Sequence, residues 1–103
     1  MSAESDHLDR IMAVMSAAFD PAYGEAWTRR QVEDALLFGN CYYGLIASNG
    51  KFTNDGQEIS GFFLSRHGVE EEELLLLAVA PNARGKGLGR LLLGEFASQA
   101  RAR

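Results

Sequence analysis

Cysteine is almost absent from the sequence. Cys41 is the only cysteine among 103 residues, so no disulfide bond can form within the chain. A basic excess is also lacking: 10 Lys and Arg residues stand against 14 Asp and Glu residues, and the net charge of −4 argues against nucleic acid as the main partner. No apolar run is long enough to cross a membrane, and the first residues do not resemble a signal peptide. We therefore expect a cytoplasmic protein that binds neither nucleic acid nor membrane.

The composition that remains is that of a globular protein. Hydrophobic residues make up 47% of the chain and charged residues 23%, which is too apolar for a disordered segment. With 103 residues, the chain lies near the short end of what can bury a self-sufficient core. We expect a single domain, residues 1–103, with room for one site.

The first predicted element is an amphipathic helix. Apolar residues recur at spacings of three and four between residues 8 and 19, which is the helical period. These positions are Leu8, Ile11, Met12, Met15 and Phe19. Pro21 and Gly24 follow and end the predicted helix.

A second helix is predicted from a capping pattern. Thr28 is followed three residues later by Gln31, which is the capping-box spacing, and the helix stops at Gly39. The loop between the two helices carries Tyr23 and Trp27. These two aromatic side chains either line the groove for an acceptor substrate or pack into the core, and the sequence is compatible with both interpretations.

Three strands and a third helix follow. Residues 41–48 and 58–66 read as an antiparallel hairpin with a long tip, because the segment between them is rich in turn residues. Residues 72–80 are apolar without alternation beyond Glu73, as expected of a strand buried on both faces.

The last predicted helix runs from Leu88 to the C-terminus. Its proposed apolar stripe consists of Leu88, Leu91, Leu92 and Phe96. The fold class is therefore α/β in the broad sense, α+β by element order.

The turn between the last strand and the last helix predicts an anion site. Residues 84–90 contain three glycines and three cations, and the helix that follows begins with backbone N–H groups free of intrahelical partners. Phosphate is the expected anion. A Walker A motif would need glycine at Ala80 and Ser or Thr at Gly87, and the dinucleotide fingerprint would need glycine at Arg90. The pattern that fits is R-x-x-G-x-G over residues 84–89.

With its preceding strand and two early helices, this motif resembles the pyrophosphate-binding motif of the GNAT superfamily of N-acetyltransferases, which use acetyl-CoA. The resemblance covers residues 8–101. The segments 19–36 and 73–93 look most like the ribosomal-protein alanine N-acetyltransferases, which acetylate a protein's N-terminal amine. The resemblance implies acetyl transfer from acetyl-CoA to such an amine, in a protein or peptide, without a metal.

The same resemblance implies which residues hold the cofactor. Amides of residues 85–89 would bind the pyrophosphate, and backbone groups of residues 77–79 would pair with pantetheine like an added strand. The Val79 amide would face the thioester oxygen. The implied cofactor-binding residues are Leu77, Ala78, Val79, Arg84, Gly85, Lys86, Gly87, Leu88, Gly89 and Arg90.

Glu73 is the candidate general base. It lies eleven residues before Arg84, the spacing at which histone-type relatives carry their base. It is also the last of four consecutive glutamates, and such a run is usually a solvated strand end. Both interpretations remain open on the sequence alone.

Several polar residues outside the motif carry no predicted chemistry. His7 and His67 have no metal-ligand spacing and are predicted to lie on the surface. Cys41 is expected to pack as a small hydrophobe. Tyr42 and Tyr43 alternate faces of a strand, so at most one can meet a ligand.

The chain resembles the N-terminal part of a GNAT superfamily member. Members continue with a parallel strand, a further helix and a final hairpin, where a proton-donating tyrosine and a glutamate used as base would lie. Without them, the strand over residues 72–80 is expected to have an open edge that favours self-association, and the stripe of Leu88, Leu92 and Phe96 is expected to lack a covering sheet. A non-catalytic CoA-binding or interaction module is therefore the alternative function.

Overall fold

The computed structural model describes residues 3–19, 24, 26–37, 39–53 and 58–102. Its elements, in chain order, are α1 (Ala3–Ala18), α2 (Arg29–Leu37), β1 (Cys41–Ile46), β2 (Gly61–Gly68), β3 (Glu71–Val79), a short 3₁₀ turn (Pro81–Ala83) and α3 (Leu88–Ala102). This order of two helices, three strands and a third helix confirms the predicted α+β class. None of the described helices is both long enough and apolar enough to span a membrane.

Both early helices are confirmed, although α1 begins at Ala3, five residues before the predicted start at Leu8. α1 ends at Ala18, and the predicted stop signal Pro21 lies outside the described residues. The capping box of α2 is present: the Gln31 amide donates to Thr28 Oγ1 at 3.1 Å, and the Thr28 amide donates to Gln31 Oε1 at 2.7 Å. These reciprocal bonds satisfy N–H groups that the helix itself cannot satisfy.

The strands form an antiparallel sheet in the order β1-β2-β3. The predicted hairpin is therefore confirmed as β1 and β2. The register of β2 against β3 shifts between Leu64 and Ser65, because Leu64 opposes Leu76 and Ser65 opposes Leu74. Leu75 is the extra residue of this bulge. In the described sheet, β3 pairs on one side only and forms an edge.

Helices cover both faces of the sheet. Phe62 and Phe63 are adjacent in β2 and fully buried, and they point to opposite faces because side chains alternate along a strand. Phe62 joins the core cluster with α1 and α2, whereas Phe63 joins the cluster under α3. The domain is therefore a three-layer sandwich with a core on each side of the sheet.

The expectation that α3 lacks a covering sheet is wrong. Leu88 and Leu92 are 3% and 0% exposed, and Phe96 packs against the same cluster. Ile46 and Phe63 supply the apolar surface beneath the helix. Leu91 is 46% exposed and lies outside the buried stripe, because it is about 100° around the helix from Leu92.

Two further expectations about burial are corrected. His7 is buried rather than on the surface, and its Nδ1 lies 2.5 Å from the hydroxyl of Tyr43, which β1 directs toward α1. In β3, Ala78 is buried but the leucines before it are only half-buried. An edge strand keeps one side open, so its side chains are covered less completely than those of a central strand.

Candidate functional site

The turn between β3 and α3 has a backbone that only glycine adopts easily. The Ala83 amide donates to Ala80 O at 2.9 Å, and the buried Ala83 side chain anchors this first bend. Gly85 and Gly87 then have φ of 83° and 81°, in the left-handed region. The path of the turn itself therefore favours glycine at both positions.

The first amides of α3 have no intrahelical partner. The bond from the Leu91 amide to Gly87 O, at 3.2 Å, is the first i→i−4 bond of the helix, so the N–H groups of Leu88, Gly89 and Arg90 precede it. A Cβ added at Gly85, Gly87 or Gly89 would meet no atom within 4 Å. The backbone thus faces open space at the positive end of a 15-residue helix with no acidic residue in its first turn.

The turn and the end of β3 enclose an open cleft of about 480 Å³. Its lining residues are Val79, Ala83, Arg84, Gly85, Gly87, Leu88, Gly89, Arg90 and Leu93. The structure therefore brings together most of the residues that the motif predicts. Lys86 is different: it lines a separate polar cleft beside Ser48, Asn49 and Glu58.

The outer edge of β3 continues the cleft. The Ala80 amide bonds to Ser60 O at 2.8 Å on the β2 side, whereas Val79 O accepts a bond from Arg84 on the other side. Because backbone groups alternate in direction along a strand, Leu77 and Val79 point their N–H and C=O groups outward and Ala78 points toward β2. Leu77 can therefore pair with an extended ligand through both groups, and Val79 can do so through its N–H, because its C=O is bonded to Arg84.

The side chain of Arg84 contacts the protein itself. Its Nε donates to Val79 O at 3.1 Å and its Nη2 donates to Ala18 O at 3.1 Å. Sequence reasoning placed Arg84 on the cofactor and missed both bonds. No local signal could have revealed the second one, because Ala18 is 66 residues away in the chain.

Glu73 lies at the far end of β3. Its carboxylate forms an ion pair with Arg66, its cross-strand partner, and both side chains are about half exposed. Six residues separate Glu73 from Val79, which is about 20 Å along a strand. The role of Glu73 as a base stays a prediction, and its present environment is that of a solvated strand end.

Cys41 belongs to the same end of the sheet. Burial raises the pKa of the Cys41 thiol, and the nearby Arg66 guanidinium partly opposes that rise. The thiol is half-buried and stays protonated at neutral pH, which agrees with a packing role.

The remaining predicted side chains lie as follows. Trp27 packs against the core cluster under α1 and α2, while Tyr23 lies outside the described residues. His67 is on the surface as predicted, with Nδ1 2.7 Å from Glu72 Oε1. Within the part of the chain that the structure describes, no three or more His, Cys, Asp or Glu side chains are grouped to hold a metal ion.

Comparisons with known proteins agree on one family. The sequence profile of the Acetyltransferase (GNAT) family matches residues 8–103. A crystal structure from Desulfovibrio desulfuricans, described as belonging to the GNAT family of acetyltransferases, is similar with a TM-score of 0.61 and 20% sequence identity. The match covers 96% of this chain and 60% of that one, and at this identity it concerns the fold. No curated protein matches the sequence.

Proposed function

The chain belongs to the GNAT family of acetyltransferases, and from that membership we propose that it binds acetyl-CoA and transfers the acetyl group to an amine. The observation that carries the proposal is the turn over residues 84–89. Its two left-handed glycines and the free amides at the start of α3 face an open cleft beside the edge of β3. A pyrophosphate joined to an extended pantetheine arm has the charge and the shape that these two surfaces accept.

The residues present fit this ligand. The amides of Leu88, Gly89 and Arg90 would hold the phosphate oxygens, and the Arg90 guanidinium adds a positive charge on the cleft. Leu77 would pair with the amide groups of the pantetheine arm through its outward N–H and C=O, because Arg84 already occupies the Val79 carbonyl. The bound thioester would supply an activated acetyl group, and the outward N–H of Val79 would stabilise the oxygen that becomes negative during attack.

A protein N-terminal amine is the acceptor that we propose, with ribosomal proteins as the class suggested by the resemblance of segments 19–36 and 73–93. An α-amino group has a pKa near 8, against about 10.4 for lysine, so it loses its proton at neutral pH with little help. This supports the choice because Glu73, the candidate base, is exposed and ion-paired with Arg66. A cytoplasmic location belongs to the same proposal.

A non-catalytic CoA-binding module is the second candidate. The observation that favours it is the open outer edge of β3 in the described sheet, where nothing forms the opposite wall of the cleft. The chain also spans only 60% of the solved GNAT structure that it resembles. Binding of CoA without turnover of an Ala-initiated peptide would select this alternative.

The binding step is tested by substitution at Gly87. Calorimetric titration of CoA should show at least tenfold weaker binding by Gly87→Asp, because its carboxylate would oppose the phosphates at close range. Gly87→Asn has nearly the same shape and the same backbone strain without the charge, so it should bind CoA much more tightly than Gly87→Asp.

Gly39→Asp is the matched control for strain and charge together. Gly39 has φ of 80° and no atom within 4 Å of an added Cβ, and it lies outside the cleft. This variant should bind CoA like the unsubstituted protein. Equal CoA affinity in Gly87→Asp and Gly87→Asn would show that the turn is not part of the CoA-binding site.

A further inference from the structure

The guanidinium of Arg84 joins two elements that are distant in sequence. One nitrogen donates to the carbonyl of Ala18, the last residue of α1, and another donates to the carbonyl of Val79, the last residue of β3. Both bonds measure 3.1 Å. A single side chain from the cleft therefore ties the end of a helix to the end of a strand.

The bond to Ala18 supplies something that α1 lacks. A helix leaves its last carbonyls without intrahelical partners, and its C-terminus carries partial negative charge. α1 has no basic residue in its own last turn. Arg84 provides both the donor and the positive charge at that end, so it acts as a C-cap contributed from elsewhere in the chain.

The second bond, from Arg84 to the Val79 carbonyl, attaches the guanidinium to the end of β3. The Val79 carbonyl points to the open side of β3, next to the cleft, and Arg84 occupies it. With Nε and Nη2 on protein carbonyls, the guanidinium is held at the boundary between the cleft and α1. Trp27, a candidate acceptor residue that follows α1 in the sequence, packs against the core cluster under α1 and α2.

We propose that Arg84 is a positioning residue, which fixes the end of α1 against the end of β3 and so sets the acceptor side of the site relative to the cofactor turn. We call the two bonds of Arg84, to Ala18 O and Val79 O, the Arg84 clamp, and the clamp forms without a ligand. Its consequence for catalysis rests on the proposed acetyl transfer. Lysine cannot replace arginine here, because one ammonium group cannot reproduce a fork that reaches two carbonyls.

Hydrogen exchange on the ligand-free protein tests the clamp. Amides of residues 15–19 should exchange about tenfold faster in both Arg84→Gln and Arg84→Lys, the order expected when a charge-assisted bond at an exposed site is lost. Arg90→Gln removes the same charge from the same turn and should leave those amides unchanged. Rates are compared with amides of residues 62–64 in β2, so that global destabilisation is separated from local opening. Unchanged relative exchange at residues 15–19 in both Arg84 variants would overturn the proposal.

Ligand binding then separates a clamp from a phosphate contact. Arg84→Gln should keep the CoA dissociation constant within about threefold, while the KM for an Ala-initiated peptide rises about tenfold. A large loss of CoA affinity that Arg84→Lys restores would show that Arg84 binds phosphate, and would overturn the proposal. Absence of CoA binding by the unsubstituted protein would refute the proposed function but leave the exchange result to decide the clamp.

Discussion

At the scale of single residues, the three cations of the turn have separate tasks. Arg90 lines the cleft at the start of α3, Arg84 holds two carbonyls of the protein, and Lys86 lines a polar cleft on another side of the turn. Spacing in the sequence makes them look like one basic cluster for an anion. Because the turn reverses direction at Gly85 and Gly87, neighbouring side chains leave it in different directions.

Glu73 provides the prediction at this scale. If it is the base, Glu73→Gln should lower turnover tenfold or more and change the pH–rate profile, while CoA affinity stays the same. The physical reason is that an amide cannot accept the proton of the amine. Kinetics across pH measure the effect.

Glu71→Gln is the control for Glu73. Glu71 is also an exposed carboxylate of the same acidic run, two residues away on the same face of β3. If both variants keep the original pH profile, Glu73 is a solvated strand end. Because the Glu73–Arg66 pair is about half exposed, stability should change little in either variant.

At the scale of elements, the contact between the sheet and α3 depends on a missing side chain. Gly44 in β1 lies beneath the ring of Phe63, and a Cβ added at Gly44 would come within 2.4 Å of a ring carbon. Phe63 is fully buried and packs edge-to-face on Phe96, with ring centroids 6.0 Å apart. The ring therefore has little room to move aside.

Gly44→Ala should lower the free energy of unfolding by about 1–3 kcal/mol, the usual cost of overpacking a core. Gly94→Ala is the matched control, since Gly94 lies within α3 with no atom within 4 Å of an added Cβ. That control should be neutral or more stable by about 0.5–1 kcal/mol, because alanine favours a helix. Thermal or urea unfolding compares the two, and equal stabilities would show that the Phe63 ring relaxes freely.

At the scale of the whole molecule, helices cover both faces of the sheet, and the outer side of β3 is an open edge. The radius of gyration is 13.0 Å, the value of a compact domain of this length. Leu93, 49% exposed, borders the cleft beside the outer edge of β3. A strand added at that edge would gain backbone bonds from Leu77 and Val79 and would also cover Leu93.

We expect the free protein to self-associate through this edge. Sedimentation should show an average mass that rises above 11.3 kDa with concentration. Saturating CoA should shift the protein toward monomer, because the pantetheine arm and a second strand would compete for the same N–H and C=O groups. A monomer at every concentration would contradict open-edge association, and association unaffected by bound CoA would place the contact elsewhere.

The open edge of β3 also leads to an expectation about catalysis by the 103-residue chain. We expect it to acetylate an Ala-initiated peptide poorly, because the described sheet supplies only one wall of the cleft. A CoA-release assay measures this directly. Steady turnover by a compact monomer would show that one wall suffices.

Features that depend on neighbours a few residues apart are predictable from the amino-acid sequence. The face of α1, the bonds between Thr28 and Gln31, the hairpin and the glycine turn all follow from short-range spacing, because helical and strand periods and capping geometry are local. The order of elements, and with it the resemblance to the GNAT superfamily, followed from the same patterns.

Tertiary structure decided the features that depend on which elements pack together. His7 meets Tyr43 across 36 residues, and Arg84 meets Ala18 across 66, so neither contact leaves a local pattern in the sequence. The cover over Leu88 and Leu92 was misjudged for the same reason. A three-stranded sheet is wide enough to support α3 on one face and α1 with α2 on the other, and only the packed arrangement shows that the open part of this domain is an edge rather than a face.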